Sequence, residues 1–230
     1  MRLPVLAGLM ALTMVSEASH AQDSLYFAGG EWSRIGSYTY LGSLMPIGGG
    51  SLGNGWVLRQ WLDRLTYDYR GATTSIRAEG YGYSPAIGFQ SAVLGSKVGL
   101  YGAVRIAHTS LDPDDSANTD RGTHGRVSLQ GETFTPVAAH GLNQLLAQFE
   151  IGNGGYFVRD RLSFHGPGHY DMGPEIILKG NREYRARQYG LTFGGIAFGR
   201  RTTALLHAGV ADQHGQSIAG YGSIEFLFRH

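Results

Sequence analysis

The chain has 230 residues, a formal charge of +1 and no cysteine, which excludes a disulfide framework and leaves no basic excess for binding nucleic acid. Glycine is abundant at 36 residues and charged residues make up only 16% of the chain, whereas average proteins contain roughly 7% glycine and about 25% charged residues. Abundant glycine, tyrosine and phenylalanine with few charges favour β structure with frequent turns.

The first 21 residues have the pattern of a secretory signal peptide. Arg2 precedes the apolar run Leu3–Val15, and Ser19 and Ala21 provide small residues at the −3 and −1 positions of a cleavage site. The apolar run is shorter than the roughly 20 residues that a membrane-spanning helix needs. We therefore predict that residues 1–21 are a signal peptide and that residues 22–230 form one exported domain.

From Ser24 onward the sequence divides into about twelve predicted strands separated by turn signals. Many strands alternate apolar and polar residues over about ten positions, which is typical of a transmembrane β-barrel. A soluble β-sandwich would show a similar alternation, but the signal peptide and the aromatic strand ends favour the membrane. In chain order the predicted strands are Ser24–Ser33, Tyr38–Met45, Trp56–Tyr69, Thr74–Val93, Lys97–Leu111, Arg126–Phe134, Asn143–Ile151, Tyr156–Phe164, Gly173–Lys179, Tyr184–Phe198, Thr202–Ala211 and Ile218–Phe228.

The last predicted strand has two faces of different character. Ile224, Phe226 and Phe228 share an apolar face that suits lipid, while Glu225 lies on the opposite, polar face. We expect this strand to pair with Ser24–Ser33 and close the ring. The predicted fold is all-β: a single closed, antiparallel, up-and-down transmembrane barrel in the cell outer membrane, preceded by a signal peptide. It has about twelve strands, with ten as the alternative count.

The polar faces of the predicted strands carry charges of both signs. A selective pore tends to have a ring of one sign, whereas buried charges of both signs are tolerated when they pair. The nearly equal numbers of positive and negative side chains on these faces therefore predict a narrow, largely filled lumen. Assigning the polar faces to the interior collects Arg77, Arg105, Arg126, Arg159, Arg161 and Lys179 with Glu79, Glu132, Glu150, Glu175 and Glu225.

One predicted strand breaks its own alternation. In Tyr156–Phe164, Asp160 falls on the otherwise apolar face.

Two groups of residues could carry chemistry. His108 and Ser110 share the lipid-facing side of their strand and resemble the His and Ser of an outer-membrane lipid A deacylase, a hydrolase that also needs a third orienting group. Hard oxygen ligands for a divalent cation are available in the polar loop, although a solvated loop explains them more simply. These acidic residues are Asp112, Asp114, Asp115 and Asp120.

Several short motifs occur in a characteristic order from about Ser37 to the C-terminus. They are Gly55-Trp56, Leu58-Arg59 and Trp61; Gly80-Tyr81 and Gly88-Phe89-Gln90; Asp112–Asp115 with Arg121-Gly122; and Gly173-Pro174-Glu175 with Gly180-Asn181, Tyr184, Arg187 and Gly190. In order and spacing they resemble the cellulose biosynthesis protein BcsS family.

The resemblance implies an exported outer-membrane barrel that takes part in bacterial cellulose production without a known cofactor. It implies contact with outer-membrane lipid and makes cellulose or other cellulose-synthesis components candidate partners. Nucleic acid is not an expected partner, because the charge of the chain is balanced. The expected role is a non-enzymatic accessory one, with a hydrolase of the lipid A deacylase type or a small porin as alternatives. We also expect an ion pair between Arg187 and Glu175 on adjacent strands. The family-motif and lumen candidates are Trp56, Arg59, Trp61, Arg105, Arg121, Glu132, Glu150, Glu175, Asn181, Tyr184, Arg187 and Glu225.

Overall fold

The computed structural model describes residues 24–230 except 35, 72–73, 167–169, 183 and 214–216, so the predicted signal peptide lies outside the described residues. Within that part of the chain, no helix is long and apolar enough to cross a membrane. The strands are β1 (Leu25–Ser33), β2 (Gly36–Pro46), β3 (Gly55–Arg70), β4 (Ser75–Tyr83), β5 (Ala86–Val93), β6 (Ser96–Asp112), β7 (Gly122–Val137), β8 (Gly141–Ile151), β9 (Tyr156–His165), β10 (Asp171–Gly180), β11 (Arg185–Phe198), β12 (Thr202–Gln213) and β13 (Ala219–Arg229).

The strands form one closed antiparallel ring. Apart from β4 and β5, which do not pair with each other, each strand pairs with its neighbours in the chain, and β13 returns to pair with β1 from Leu25↔Arg229 to Ser33↔Tyr221. β4 and β5 together occupy a single place between β3 and β6. The result is a 12-stranded barrel without a free edge. The predicted fold, strand number and closing pair are confirmed.

The predicted strand Thr74–Val93 is divided at Ser84 and Pro85 into β4 and β5. Proline has no N–H to donate to a ladder, so the regular pairing stops there. The Ser84 N–H still donates to the Trp61 carbonyl at 2.8 Å, and the register against β3 and β6 is the same on both sides of the break. The division therefore leaves the alternation of inward and outward side chains unchanged from β4 to β5.

Alternation along the strands produces an apolar exterior. Leu62, Leu100, Leu129 and Phe149 are exposed outward, while their neighbours in sequence are turned inward and are more buried. On β13, Phe226 and Phe228 face outward and Glu225 faces inward, as predicted. This exterior is the lipid-facing surface of an outer-membrane barrel.

The interior assignment of Arg77 and Glu79 is wrong. Both lie on the outer surface, where Glu79 accepts hydrogen bonds from Arg64 at 2.6 Å and from the Tyr81 hydroxyl. The apolar residues between and beside them, Ile76 and Ala78, are buried. Sequence alternation locates the two faces but not the lumen, because polar outward residues are also tolerated where a strand extends beyond the apolar band.

The strand β10 begins at Asp171, two residues before the predicted start, so Pro174 lies within the strand and not at its opening. The ladder with β9 has no pairs between Met172↔Phe164 and Glu175↔Arg161, which is where the proline lacks its N–H. At Gly173 the backbones approach so closely that an added Cβ would lie 1.8 Å from the Leu162 carbonyl oxygen. Glycine is therefore required at this position.

Candidate functional site in the barrel interior

The centre of the lumen contains a buried ion pair with a histidine. Arg161 on β9 donates to the Glu175 carboxylate on β10 at 2.8 Å, and each side chain is only 2% exposed. His207 on β12 reaches the other Glu175 oxygen at 3.2 Å. Both carboxylate oxygens are therefore bonded, which satisfies a charge that is removed from water.

A second cluster is formed by side chains of β3, β6, β7 and β8 and of the β6–β7 loop. The Arg105 guanidinium makes a bidentate contact with Asp63, at 2.6 and 2.8 Å, and its Nε lies 3.6 Å from Glu150. Arg126 donates to Asp120 at 2.5 Å and lies 3.8 Å from the same Glu150. Two arginines therefore share one glutamate. Arginine suits this arrangement because its planar fork binds carboxylates bidentately.

Other contacts join strands that are not neighbours in the ring and so cross the interior. Glu225 on β13 accepts a hydrogen bond from the Tyr40 hydroxyl on β2 and lies 3.9 Å from Arg159 on β9. Glu31 on β1 accepts from Lys179 on β10 at 2.8 Å. These bonds connect parts of the wall that are two to four strands apart in the ring, so their side chains occupy space in the interior.

Arg59 illustrates how tightly the interior is filled. Its guanidinium lies 4.8 Å from the centre of the Tyr101 ring, and the residue is 8% exposed. The Tyr101 hydroxyl in turn donates to Glu132 and accepts from Gln90 Nε2 at 2.8 Å. Arg59 Nε has no hydrogen-bond partner among the residues that the structure describes. A cation–π contact and a nearby carboxylate thus hold this charge in place of water.

Aromatic side chains fill the wall formed by β1, β2 and β3. Trp61 stacks on Tyr40 with ring centres 4.8 Å apart and an interplanar angle of 14°, and Phe27 lies 5.0 Å from the same indole. The indole N–H donates to the Tyr38 hydroxyl at 3.0 Å. These rings pack against one another, so the cluster stabilises the wall and does not present a free aromatic surface on which a sugar ring could stack.

The β6–β7 loop, residues 113–121, crosses the barrel end that lies opposite the chain termini. Its Asp120 accepts a hydrogen bond from Asn181 in the β10–β11 turn at 2.5 Å, and its Asn118 donates to Tyr69 on β3 at 3.0 Å. Tyr184 stands below the loop with its ring 5.8 Å from that of Tyr67, and burial raises the pKa of its hydroxyl. The loop therefore ties three parts of the wall together.

The acidic residues of this loop do not converge on one point. Asp114 pairs with Arg121 at 2.9 Å, Asp115 accepts from Tyr69 at 2.9 Å, and Asp120 binds Arg126. Among the residues that the structure describes, no three His, Asp or Glu side chains are grouped closely enough to hold a metal ion. The arrangement is that of an ion-paired loop.

The His108 and Ser110 pair lies on the outer surface, as predicted. Ser110 Oγ donates to the Glu79 carbonyl at 3.3 Å, and His108 Nδ1 lies 2.9 Å from Thr123 Oγ1. The bonds of each side chain are thus directed to other strands. A nucleophile and its base would instead be bonded to each other.

The structure separates the candidate site residues into three groups. Arg59, Trp61, Arg105, Glu132, Glu150, Glu175 and Glu225 are inside the lumen; Asn181 and Tyr184 are at its loop-covered end; Trp56, Arg121 and Arg187 are at the surface.

The predicted Arg187–Glu175 ion pair is wrong. The β10–β11 register places Glu175 opposite Gly190 and Arg187 opposite Leu178 on the outer face. A shift of three residues along β11 changes both the neighbour and the face of a side chain.

Three interior residues were missed by the sequence reading: Glu31, Asp63 and His207. Asp63 shares its parity with Arg59 and Trp61 on β3, so the alternation of that strand contained the signal. Glu31 pairs with Lys179, and His207 pairs with Glu175. Both contacts depend on how the ring closes, so the sequence of one strand does not reveal them.

Known structures share this architecture. An outer membrane channel from Pseudomonas putida F1 is 10% identical, with a TM-score of 0.56 over 93% of this chain and 97% of that one. The KdgM porin in complex with oligogalacturonate is 9% identical, with a TM-score of 0.52 over 89% and 98%. The β domain of the Bordetella autotransporter BrkA is 12% identical, with a TM-score of 0.51 over 90% and 99%. At these identities the likeness establishes the fold.

A comparison with curated proteins finds no match to this chain. The family model for cellulose biosynthesis protein BcsS, in contrast, matches residues 25–230, which is the whole barrel. The sequence motifs, the barrel and this match agree: the chain is an outer-membrane β-barrel that belongs to the cellulose biosynthesis protein BcsS family.

Proposed function

We propose that this chain is a non-enzymatic accessory protein of bacterial cellulose biosynthesis or secretion, and that it acts as a filled barrel and not as a conduit. The observation that carries this proposal is the network of ion pairs in the lumen, with Arg161 and Glu175 each 2% exposed. A solute path needs side chains that face water, and breaking a buried pair leaves an uncompensated charge. The filled interior supports a role in organising or anchoring other components at the outer membrane.

Passage of a sugar polymer is the main competing role, because a porin of the same fold binds oligogalacturonate. Contacts such as Lys179–Glu31 and Arg159–Glu225 cross the interior and would all have to open for a glucan strand to pass. The stacked faces of Trp61 and Tyr40 are likewise not available to a sugar. These contacts favour the accessory role over transport.

A hydrolase is also less well supported. The only predicted nucleophile and base, Ser110 and His108, form their hydrogen bonds with Glu79 and Thr123. Hydrolysis by such a pair requires a direct bond between the two side chains and an orienting group for the histidine.

Deleting the gene and measuring cellulase-sensitive dye binding at the cell surface tests the proposal. We expect surface cellulose to fall and to recover with the wild-type gene or with the surface variant Arg187→Ala. Sensitivity of the cells to a large antibiotic should stay unchanged, which separates this effect from general damage to the outer membrane. Unchanged cellulose output in the deletion strain would overturn the proposal.

A further inference from the structure

A carboxylate stands on the lipid-facing surface of the barrel. Asp160 on β9 is exposed and faces outward, with Leu145 of β8 and Ile176 of β10 directly beside it in register. Those two neighbours are 39% and 44% exposed, so they belong to the apolar exterior. Asp160 therefore interrupts the lipid-facing band, as the sequence alternation had indicated.

The position of Asp160 along its strand places it near the middle of the membrane. β9 has ten residues, and a transmembrane strand needs about 9–11. Tyr156 and Phe164 face outward on the same strand, four residues before and after Asp160, where aromatic girdles are expected. In contrast, the outward residues Arg187 and Asp212, which oppose each other, lie close to the ends of their strands.

Within the described part of the chain, Asp160 has one hydrogen-bond partner. Asn143 Nδ2 on β8 donates to its Oδ1 at 2.6 Å. A carboxylate offers about four acceptor sites, and lipid tails supply no donors. Ionisable groups at this depth almost always face protein or water. The location therefore indicates a second protein surface against this side of the barrel.

Strands β7 and β8, on one side of Asp160, have small residues and hydroxyl groups that suit contact with a second protein surface. On β7, Gly131 and the hydroxyl-bearing Thr133 and Thr135 occupy outward positions, and Ala147 of β8 lies beside Gly131 in register. Small residues allow two backbones to approach closely, and hydroxyl groups can donate across the contact. One face thus contains a carboxylate on β9 and donors with a shallow notch on β7, on either side of β8.

We propose that this face, formed by the outer side of β7, β8 and β9, binds a second copy of the same chain. A two-fold axis along the membrane normal beside β8 brings β9 of one copy against β7 of the other, twice. Asp160 of each copy then packs into the notch at Gly131 and accepts from the Thr133 hydroxyl. The self-complementary arrangement of acceptor and donors is what selects a second copy over a different partner. This inference does not depend on the role in cellulose production.

Single-cysteine crosslinking in intact outer membranes tests the contact, because the chain has no cysteine of its own. Ala147→Cys lies near the predicted axis, and Val210→Cys on β12 is a matched outward control on another side of the ring. We expect oxidation to convert Ala147→Cys into a product of twice the chain mass and to leave Val210→Cys monomeric. Equal crosslinking of the two variants, or a product of any other mass, would overturn the proposal.

Asp160→Leu tests whether the contact between the two copies needs this carboxylate when the barrel itself stays folded. The barrel should remain folded, seen as an unchanged heat-modifiable band, because a leucine suits lipid. Disulfide dimer formation through Ala147→Cys should fall at least tenfold in this background. Asp160→Asn keeps an acceptor and should retain most of the crosslinking. A folded Asp160→Leu barrel that crosslinks as well as the parent would contradict the role of this carboxylate.

Discussion

Arg161 and Glu175 face each other inside the barrel at 2.8 Å, on strands β9 and β10 that are adjacent in the ring. Their Cα positions are in register, so neither side chain has to bend toward the other. The same glutamate also receives His207. A short, buried ion pair with a third hydrogen-bonding partner shows that this part of the interior is packed with side chains.

Breaking this pair should destabilise the barrel strongly. Glu175→Leu leaves the Arg161 guanidinium buried without its partner, and we expect a loss of about 3–5 kcal/mol. Glu79→Gln removes an ion pair with Arg64 on the outer surface and should cost far less, because both side chains are exposed. Urea unfolding of the barrel in vesicles measures both. Similar losses for the two variants would show that the interior pair is not buried in this sense.

Removing both charges is a sharper test of the same pair. Arg161→Met with Glu175→Leu leaves no uncompensated charge, so this double variant should be more stable than Glu175→Leu alone. Its unfolding midpoint should lie nearer to that of the wild-type barrel. A double variant as unstable as the single one would point to lost packing instead of lost charge balance.

The wild-type barrel should not conduct ions well. Cross-lumen contacts such as Lys179–Glu31 occupy the interior, so we expect small or no openings in planar bilayers. Lys179→Ala combined with Arg159→Ala removes two of these braces and should raise conductance. Large, stable openings of the wild-type protein would contradict a filled lumen.

Gly173→Ala should reduce folding of the barrel, because position 173 has no room for a side chain. An added Cβ would lie 1.8 Å from the Leu162 carbonyl oxygen, and because a backbone atom cannot move aside freely we expect a loss of about 1–3 kcal/mol and less folded barrel. Gly102→Ala is the control, since no atom lies within 4 Å of its added Cβ. Heat-modifiable gel mobility of outer-membrane fractions measures folding. Equal yields of the two variants would contradict the close approach.

Ser110→Ala should leave the lipid A acylation pattern of the host unchanged. The Ser110 hydroxyl is bonded to the Glu79 carbonyl and not to His108, so it lacks an activating base. Mass spectrometry of lipid A from cells that produce the wild-type or the Ser110→Ala protein measures this. A pattern that changes with the wild-type protein and reverts with Ser110→Ala would establish the hydrolase.

The mature protein should begin at Gln22. Small residues at Ser19 and Ala21 predict cleavage there, and the intact mass of the protein from outer membranes measures it. Replacing Ala21 by a bulky residue should slow cleavage, whereas the same change at Asp23 should have little effect. A mass that retains residues 1–21 would contradict the signal peptide.

Local pattern was enough to predict most of the barrel. Alternation has a period of two, so it identified the faces of β13 and β6 without knowledge of the ring. It also marked Asp160 as an exception on an apolar face. The motif from Gly173 to Glu175 was recognised as a unit, but its physical reason, a backbone oxygen beside Gly173, depends on β9.

By itself the sequence determined a β-barrel of the outer membrane with charges of both signs on its inner faces, because side-chain parity and turn spacing are local properties. Only the tertiary structure decided which charges meet. Arg187 was expected beside Glu175, but the register of β10 and β11 and the closure of the ring bring Arg161 and His207 there instead. Pairing across a closed ring depends on register between strands far apart in the chain, and no stretch of sequence contains that information alone.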